Sequence, residues 1–197
     1  MKTKQRFDSI LEKWNLLKHP FYQAWSEGTL PVKALKVYAS EYGAFINTLE
    51  DGWKTLEDQE TAEEEKEHAE LWEQFAIALE TEVNEPQITQ TKELIDTSQN
   101  LFSSPATTLG AMYAFEAQQP ATAKSKLDGL KTHYSLPAEV EPYFEVHSAN
   151  WHESEKILAA LDKLSPEEQE MAEMACTKMA ESLWNALTGI HEKSSLN

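Results

Sequence analysis

Apolar residues recur at steps of three and four along nearly the whole chain, and strict apolar/polar alternation is absent, so the pattern predicts helices and no sheet. Ile10, Trp14 and Leu17 mark a first helix that stops near His19-Pro20, and an aromatic segment from Phe21 to Trp25 leads into a turn at Gly28. A second helix follows Pro31 and carries Leu35, Tyr38, Tyr42, Phe45 and Leu49 on one face. A third, from about Gln59 to Glu80, carries His68, Leu71, Trp72, Phe75 and Leu79. A weaker one covers Gln90 to Ser98. Ser104 before Pro105 reads as an N-cap with proline in the first turn, opening a helix to about Gln118. Pro120 interrupts that helix, a short one follows, and Gly129 with Tyr134 to Pro137 closes the region.

A long helix with Tyr143, His147, Trp151, Leu158 and Leu161 on its stripe then runs to Leu164. Ser165-Pro166-Glu167-Glu168 has the serine, the first-turn proline and the third-position glutamate of a capping box, so the last helix starts there and ends near Gly189, with a frayed tail. The fold class is all-α, a helical bundle, and 197 residues are read as one domain spanning 1-197.

Bulk composition removes several function classes. With 34 Asp and Glu against 17 Lys and Arg, the net charge of −17 disfavours nucleic acid as a partner. A single cysteine, Cys176, excludes an internal disulfide framework, and it lies on the core stripe of the last helix, where it is read as an inert small hydrophobe. No stretch approaches the ~20 apolar residues of a membrane span. The expected location is the cytoplasm, with a small-molecule substrate and the homodimer that bundles commonly form.

Three titratable residues share apolar stripes with core positions. His68 stands with Trp72, Phe75 and Leu79, His147 with Tyr143 and Trp151, and Glu116 with Leu109, Met112 and Tyr113. A neutral core histidine explains His68 equally well when it is taken alone. A buried carboxylate such as Glu116 costs several kcal/mol unless it is paired, hydrogen-bonded or bound to metal. Glu64, one turn before His68, reaches the same side of its helix, while Glu60, Glu63, Glu65 and Glu67 read as surface. His152 lies about 140° around a regular helix from His147 and reads as exposed. Imidazoles and carboxylates converging in a bundle interior suit iron or manganese. The expected metal ligands are His68, Glu116, His147 and Glu64.

The segments YAFEAQQPATAKSKLDGLKTHY (Tyr113 to Tyr134), PYFEVHSANWHESEKIL (Pro142 to Leu158), HPFYQAWSEGTLPVKALKVYASEYGAF (His19 to Phe45) and HAELWEQFAIALE (His68 to Glu80) together resemble the heme-oxygenase-like helical superfamily, in the branch of TenA, PqqC and CADD. The resemblance is greatest to the CADD-type metal oxidases and implies a TenA/PqqC-type bundle whose histidines and carboxylates bind two irons and activate dioxygen. It assigns His68, Glu116 and His147 to ligand positions. At the family's remaining ligand positions stand Thr61, Trp151 and Ser154, for which Glu64 or Glu65, and Asn150 or His152 after a local unwinding, are the available substitutes.

Lys126 matches a lysine of the p-aminobenzoate-making members, in a chain whose early part is rich in tyrosine at Tyr22, Tyr38 and Tyr42. The implied function is an iron- or manganese-dependent oxidase or oxygenase acting on a small molecule, with Lys126, Tyr113 and Tyr42 as catalytic candidates and Tyr143 and Trp151 as walls for a bound cofactor or ligand. Two alternatives stand beside it: a metal-free protein that holds a small heterocycle, and a TenA-like thiamine-salvage hydrolase.

Overall fold

The computed structural model describes residues 2–195. It contains, in order, α1 (Thr3–Lys13), α2 (Pro20–Ser26), α3 (Val32–Ile46), α4 (Leu49–Thr55), α5 (Gln59–Ala78), α6 (Thr89–Leu101), α7 (Pro105–Glu116), α8 (Gln119–His133), α9 (Pro142–Ser148), α10 (His152–Leu161) and α11 (Pro166–Ser195). No strand occurs among the described residues, and none of their helices is long and apolar enough to cross a membrane.

The element at the centre is α7, with ten of its residues buried, from Ala106 and Thr108 through Glu116. A helix that is apolar all round can only be stable with neighbours on every side. It packs chiefly against α11 and also touches α10, α4, α6 and α8. Gly110 permits the α7–α11 crossing, because a Cβ there would lie 1.9 Å from the carbonyl oxygen of Ala172. The 30 residues of α11 also reach α6, α3, α1 and α2, so this one helix ties the early and middle parts of the chain together.

Local signals account for most boundaries. The Ser165 hydroxyl accepts from the Glu168 amide at 3.3 Å, and the Ser165 amide donates to the Glu168 carboxylate at 2.9 Å, the reciprocal pair expected of a capping box. Gly28 takes the left-handed conformation (φ +67°) that its turn requires. Besides α1, which ends at Lys13 where the sequence reading carried it to near His19, four boundaries differ from the sequence reading. The second predicted helix is divided at Asn47 and Thr48 into α3 and α4. The helix after Gln118 is not short: α8 has 15 residues, with Pro120 in its first turn and Gly129 inside it. The last helix continues past Gly189 to Ser195, and the predicted fraying falls partly on residues 196–197, outside the described range.

The fourth difference matters for function. The long helix through His147 is broken between Ser148 and His152, giving α9 and α10. Asn150 explains the break, since its side-chain oxygen accepts from the backbone amide of His152 at 3.3 Å, an amide that an unbroken helix would bond within its own ladder.

Candidate metal centre

Five side chains from four helices meet beside the central helix. Helix α5 contributes Glu65 and His68, α7 ends on Glu116, α9 carries His147, and α10 carries Glu153 in its first turn. All five are buried, the three carboxylates at 2% exposure each. One ligand atom from each of Glu65, His68 and Glu153 lies within 4.8 Å of the other two. The rings of His68 and His147 stand 4.3 Å apart, centroid to centroid, at an interplanar angle of 65°.

The hydrogen bonds orient these groups and leave ligand atoms free. His147 Nδ1 donates to the carbonyl of Tyr143 at 2.6 Å, which leaves the Nε2 lone pair facing away from its own helix. His68 Nδ1 faces a Glu65 oxygen at 3.4 Å. Asn150 donates to Glu153 at 2.8 Å, so the residue that breaks the helix also fixes the carboxylate that the break turns inward. Glu116 Oε1 is buried and has no hydrogen-bond partner among the described residues. An orphaned carboxylate oxygen is expensive in a protein interior and is what an absent cation would satisfy.

The electrostatics point the same way. Burial, then the charges of Glu153 and Glu65, hold the Glu116 carboxyl well above the usual range. Burial and the charge of Glu65 raise Glu153 to about 7. Burial and then the neighbouring His68 push His147 down to about 3. For His68 burial acts downward, but the hydrogen bond and charge of Glu65 outweigh it and the net shift is upward. Burial and mutual repulsion thus favour the neutral forms of Glu116 and Glu153 over a fully charged cluster.

A second buried polar group lies nearby. Lys126 Nζ, on α8, is 3.1 Å from the Tyr38 hydroxyl and 3.5 Å from that of Tyr22, and the two hydroxyls are 2.9 Å apart. No carboxylate among the described residues pairs with this lysine, and burial lowers it to about 7. Tyr38 stacks on Tyr42 at 4.9 Å, Tyr42 lies 5.9 Å from Trp72, Trp72 meets Tyr143 edge-on at 4.7 Å, and Tyr143 lies 4.2 Å from His147. Contiguous aromatic rings therefore join the lysine to the histidines.

Among the residues expected from sequence, His68, Glu116 and His147 come together, and Lys126, Tyr42 and Tyr143 lie in the adjoining aromatic group. Glu64 does not enter the buried cluster: its side chain is 43% exposed and lies 3.8 Å from His152 Nε2, and together with Glu153 these form an outer group at the rim. Glu65, read from sequence as surface, takes the buried place instead. Trp151 is 50% exposed and, with Tyr113, lines a surface groove of about 420 Å³. Tyr113 donates to Asp8 there. Tyr143 and Glu116 do not line that groove, so the walls imagined for a bound heterocycle are not on one surface. Cys176 is fully buried, with its thiol pushed well up by burial, as suits an inert residue.

Glu153 was missed because a regular helix places it about 120° from His147. One signal was available: Asn150 followed three residues later by Glu153 is a helix-start signature, and it announces a new helix just where the break occurs.

Comparison with known proteins adds the family. Residues 50–185 match the family described as iron-containing redox enzymes. The chain is 32% identical to the 4-aminobenzoate synthase of Nitrosomonas europaea, over 98% of this chain and 93% of that one. It is 29% identical to the 4-aminobenzoate synthase of Chlamydia pneumoniae, over 92% and 91%. Among solved structures, a TenA homologue from Pseudomonas syringae superposes with a TM-score of 0.79 at 16% identity, covering 96% of this chain and 93% of that one. A CADD-like protein from Nostoc punctiforme does so with 0.68 at 17% identity, covering 97% and 96%. The heme-oxygenase-like fold expected from the sequence is the fold of these neighbours.

Proposed function

Because this chain belongs to the family of iron-containing redox enzymes, we propose that it is a metal-dependent oxidase of a small molecule and that, like the synthases it matches nearly end to end, it serves the formation of 4-aminobenzoate. The observation that carries this reading is the orphaned, buried Glu116 oxygen set among two imidazoles and two further carboxylates. That donor set fits iron or manganese, and Glu65, His68, Glu116, His147 and Glu153 are the residues that would hold the metal. Bound there, such a metal supplies one-electron redox chemistry toward dioxygen.

The chain's own residues supply the rest. The aromatic and aliphatic packing around the cluster keeps bulk water away, which strengthens every electrostatic interaction inside it. Tyr143 holds His147 in the tautomer that presents Nε2. Lys126, with Nζ at about 7, exchanges a proton readily near neutral pH, and the hydroxyls of Tyr38 and Tyr22 are within reach to relay it. The tyrosine and tryptophan rings between Lys126 and His147 are oxidisable groups in contact, suited to carrying charge between the two regions.

The test is metal retention followed by turnover. Protein loaded anaerobically with Fe(II) and desalted is expected to keep iron, to consume dioxygen in the presence of a reductant and, with a protein-free cell extract as the source of substrate, to yield 4-aminobenzoate detectable by mass spectrometry. Glu116→Gln combined with His147→Ala is expected to lose both metal and oxygen consumption. Oxygen consumption that persists in a metal-stripped sample would refute the reading.

A further inference from the structure

We propose that the surface groove beside Trp151 is a binding site for a small aromatic ammonium, an arylalkylamine. The groove takes no residue from the buried cluster, so this site stands or falls apart from the metal-dependent reading.

The tryptophan is the starting point. Of the six tryptophans only Trp151 is exposed, at 50%, whereas Trp25, Trp53 and Trp72 are fully buried. The break in the helix leaves Trp151 as the residue that precedes α10, and the Ser154 hydroxyl donates to its carbonyl at 3.0 Å, which fixes the backbone that carries the indole. Leu17, at 37% exposure, lines the same groove, and Leu158 continues its apolar wall. A large apolar side chain left singly in water is ordinary, but an indole and a leucine exposed on one concavity mark a surface that a ligand covers. At about 420 Å³ the concavity has the size of a small-molecule site and suits one ring on a short arm.

The polar lining selects the charge of that ligand. Lys4 and Asp8 pair at 2.6 Å, and Asp8 also accepts from the Tyr113 hydroxyl at 3.1 Å, so these two charges offset one another. Glu12 on α1 and Glu155 on α10 remain, and they give the groove two uncompensated negative charges among its lining residues. The two helices touch, so the carboxylates belong to its two sides. The whole chain, at −17, adds to the same potential. A carboxylate or phosphate is repelled there. An ammonium is attracted twice, by the glutamates and by the face of an indole, while Trp151, Leu17 and Leu158 receive the ring it carries. A second copy of the chain fits less well, because a two-fold contact through this groove sets Glu12 and Glu155 against the same residues of the other copy.

The experiment titrates the full chain with 2-phenylethylammonium chloride and follows tryptophan emission and its quenching by acrylamide. The expected result is a saturable blue shift, with quenching of the exposed indole reduced at least about threefold as Trp151 is covered. The carboxylate of similar shape, 3-phenylpropionate, is expected to bind at least about tenfold more weakly. By isothermal titration calorimetry, affinity for the amine is expected to fall at least about tenfold in Trp151→Ala and in the double variant Glu12→Gln, Glu155→Gln, with circular dichroism confirming that both fold. Ile77→Ala, which removes an exposed apolar side chain outside the groove, is expected to leave affinity unchanged. Equal affinity for the amine and the carboxylate would overturn the ligand class. Absence of saturable amine binding by the parent, or full affinity in a folded Trp151→Ala, would overturn the site. Self-association in sedimentation that Trp151→Ala abolishes, without amine binding, would assign the groove to a second copy and overturn the proposal.

Discussion

The bundle interior holds two polar regions side by side, and they handle buried charge in opposite ways. Around His68 and His147, three buried carboxylates crowd together, and the Glu116 oxygen that finds no partner leaves the region short of a positive charge. Around Lys126 there is a potential positive charge and, among the described residues, no paired carboxylate, only the hydroxyls of Tyr22 and Tyr38 and the ring faces of Tyr22, Phe144 and Tyr38 at 4.8, 5.1 and 5.5 Å. The lysine resolves its problem alone, by giving up its proton near neutrality. The carboxylates answer theirs in part the same way, with burial and the charges of Glu153 and Glu65 holding the Glu116 carboxyl well above its usual range. The difference sets a region with an orphaned carboxylate oxygen against one whose only charged group titrates near neutrality.

The largest effect is expected from removing the lysine. Its folded-state value of about 7 lies below the ordinary 10.5, so the unfolded chain holds a proton that the folded chain has lost. The resulting destabilisation is present in full below pH 7 and disappears as pH rises toward 10.5, reaching about 5 kcal/mol at its greatest. Lys126→Met, which keeps the volume, is therefore expected to raise stability at pH 7 and to remove the gain that the parent shows between pH 7 and 10. Urea unfolding at several pH values checks this. Parallel parent and variant curves would show that the lysine is charged and paired in the fold.

Metal should act with the opposite sense on the other region. Fe(II) or Mn(II) at a hundredfold excess over its dissociation constant is expected to stabilise the chain by about 2.7 kcal/mol, a rise in Tm of roughly 5–10 °C for a chain of this size. In Glu116→Gln that response should largely vanish, although the metal-free variant, relieved of one forced carboxylate, should be at least as stable as the metal-free parent. Equal metal responses in the two would remove the case for Glu116 as a ligand. A smaller effect, a loss of about 1–2 kcal/mol, is expected of Tyr38→Phe, which takes a hydrogen-bond partner from both Lys126 and Tyr22. In the Lys126→Met background the same substitution should cost less, a coupling that a double-mutant cycle measures.

How far the two regions could be read from the chain follows from how regular their helices are. His68, Glu116, Tyr38 and Tyr42 sit on unbroken helices, where three-and-four spacing reports the buried face directly, and each was placed inside from sequence. Glu64 and Glu65 are adjacent in a run of glutamates, about 100° apart on one helix, so a modest rotation of α5 decides which of them is buried, and neighbouring helices set that rotation. Glu153 was overlooked and Trp151 misplaced for a different reason: periodicity extrapolated a straight helix across Asn150, although Leu161 further along is buried as that stripe expects. The resemblance drew attention to Thr61, Trp151 and Ser154, but only the break in three dimensions brings Glu153 into the buried cluster.

The smallest expected effect tests that break. Asn150 accepts from the His152 amide and donates to Glu153, one side chain both interrupting the helix and steering a carboxylate into the carboxylate-rich region, and it has no counterpart in the lysine region, where α8 runs unbroken. Asn150→Ala removes both bonds and gives the segment a better helix former, so the two effects on stability oppose each other and the net change in the metal-free chain is expected to stay within about 1 kcal/mol. Its mark should appear in position rather than in stability: slower amide hydrogen exchange from Trp151 to Glu155 as α9 and α10 join, and weaker metal binding as Glu153 rotates away. Unaltered exchange together with unaltered metal affinity would mean that packing against α5 and α7, and not Asn150, holds the break, and the comparison would then rest on the fold around the site instead of on one residue within it.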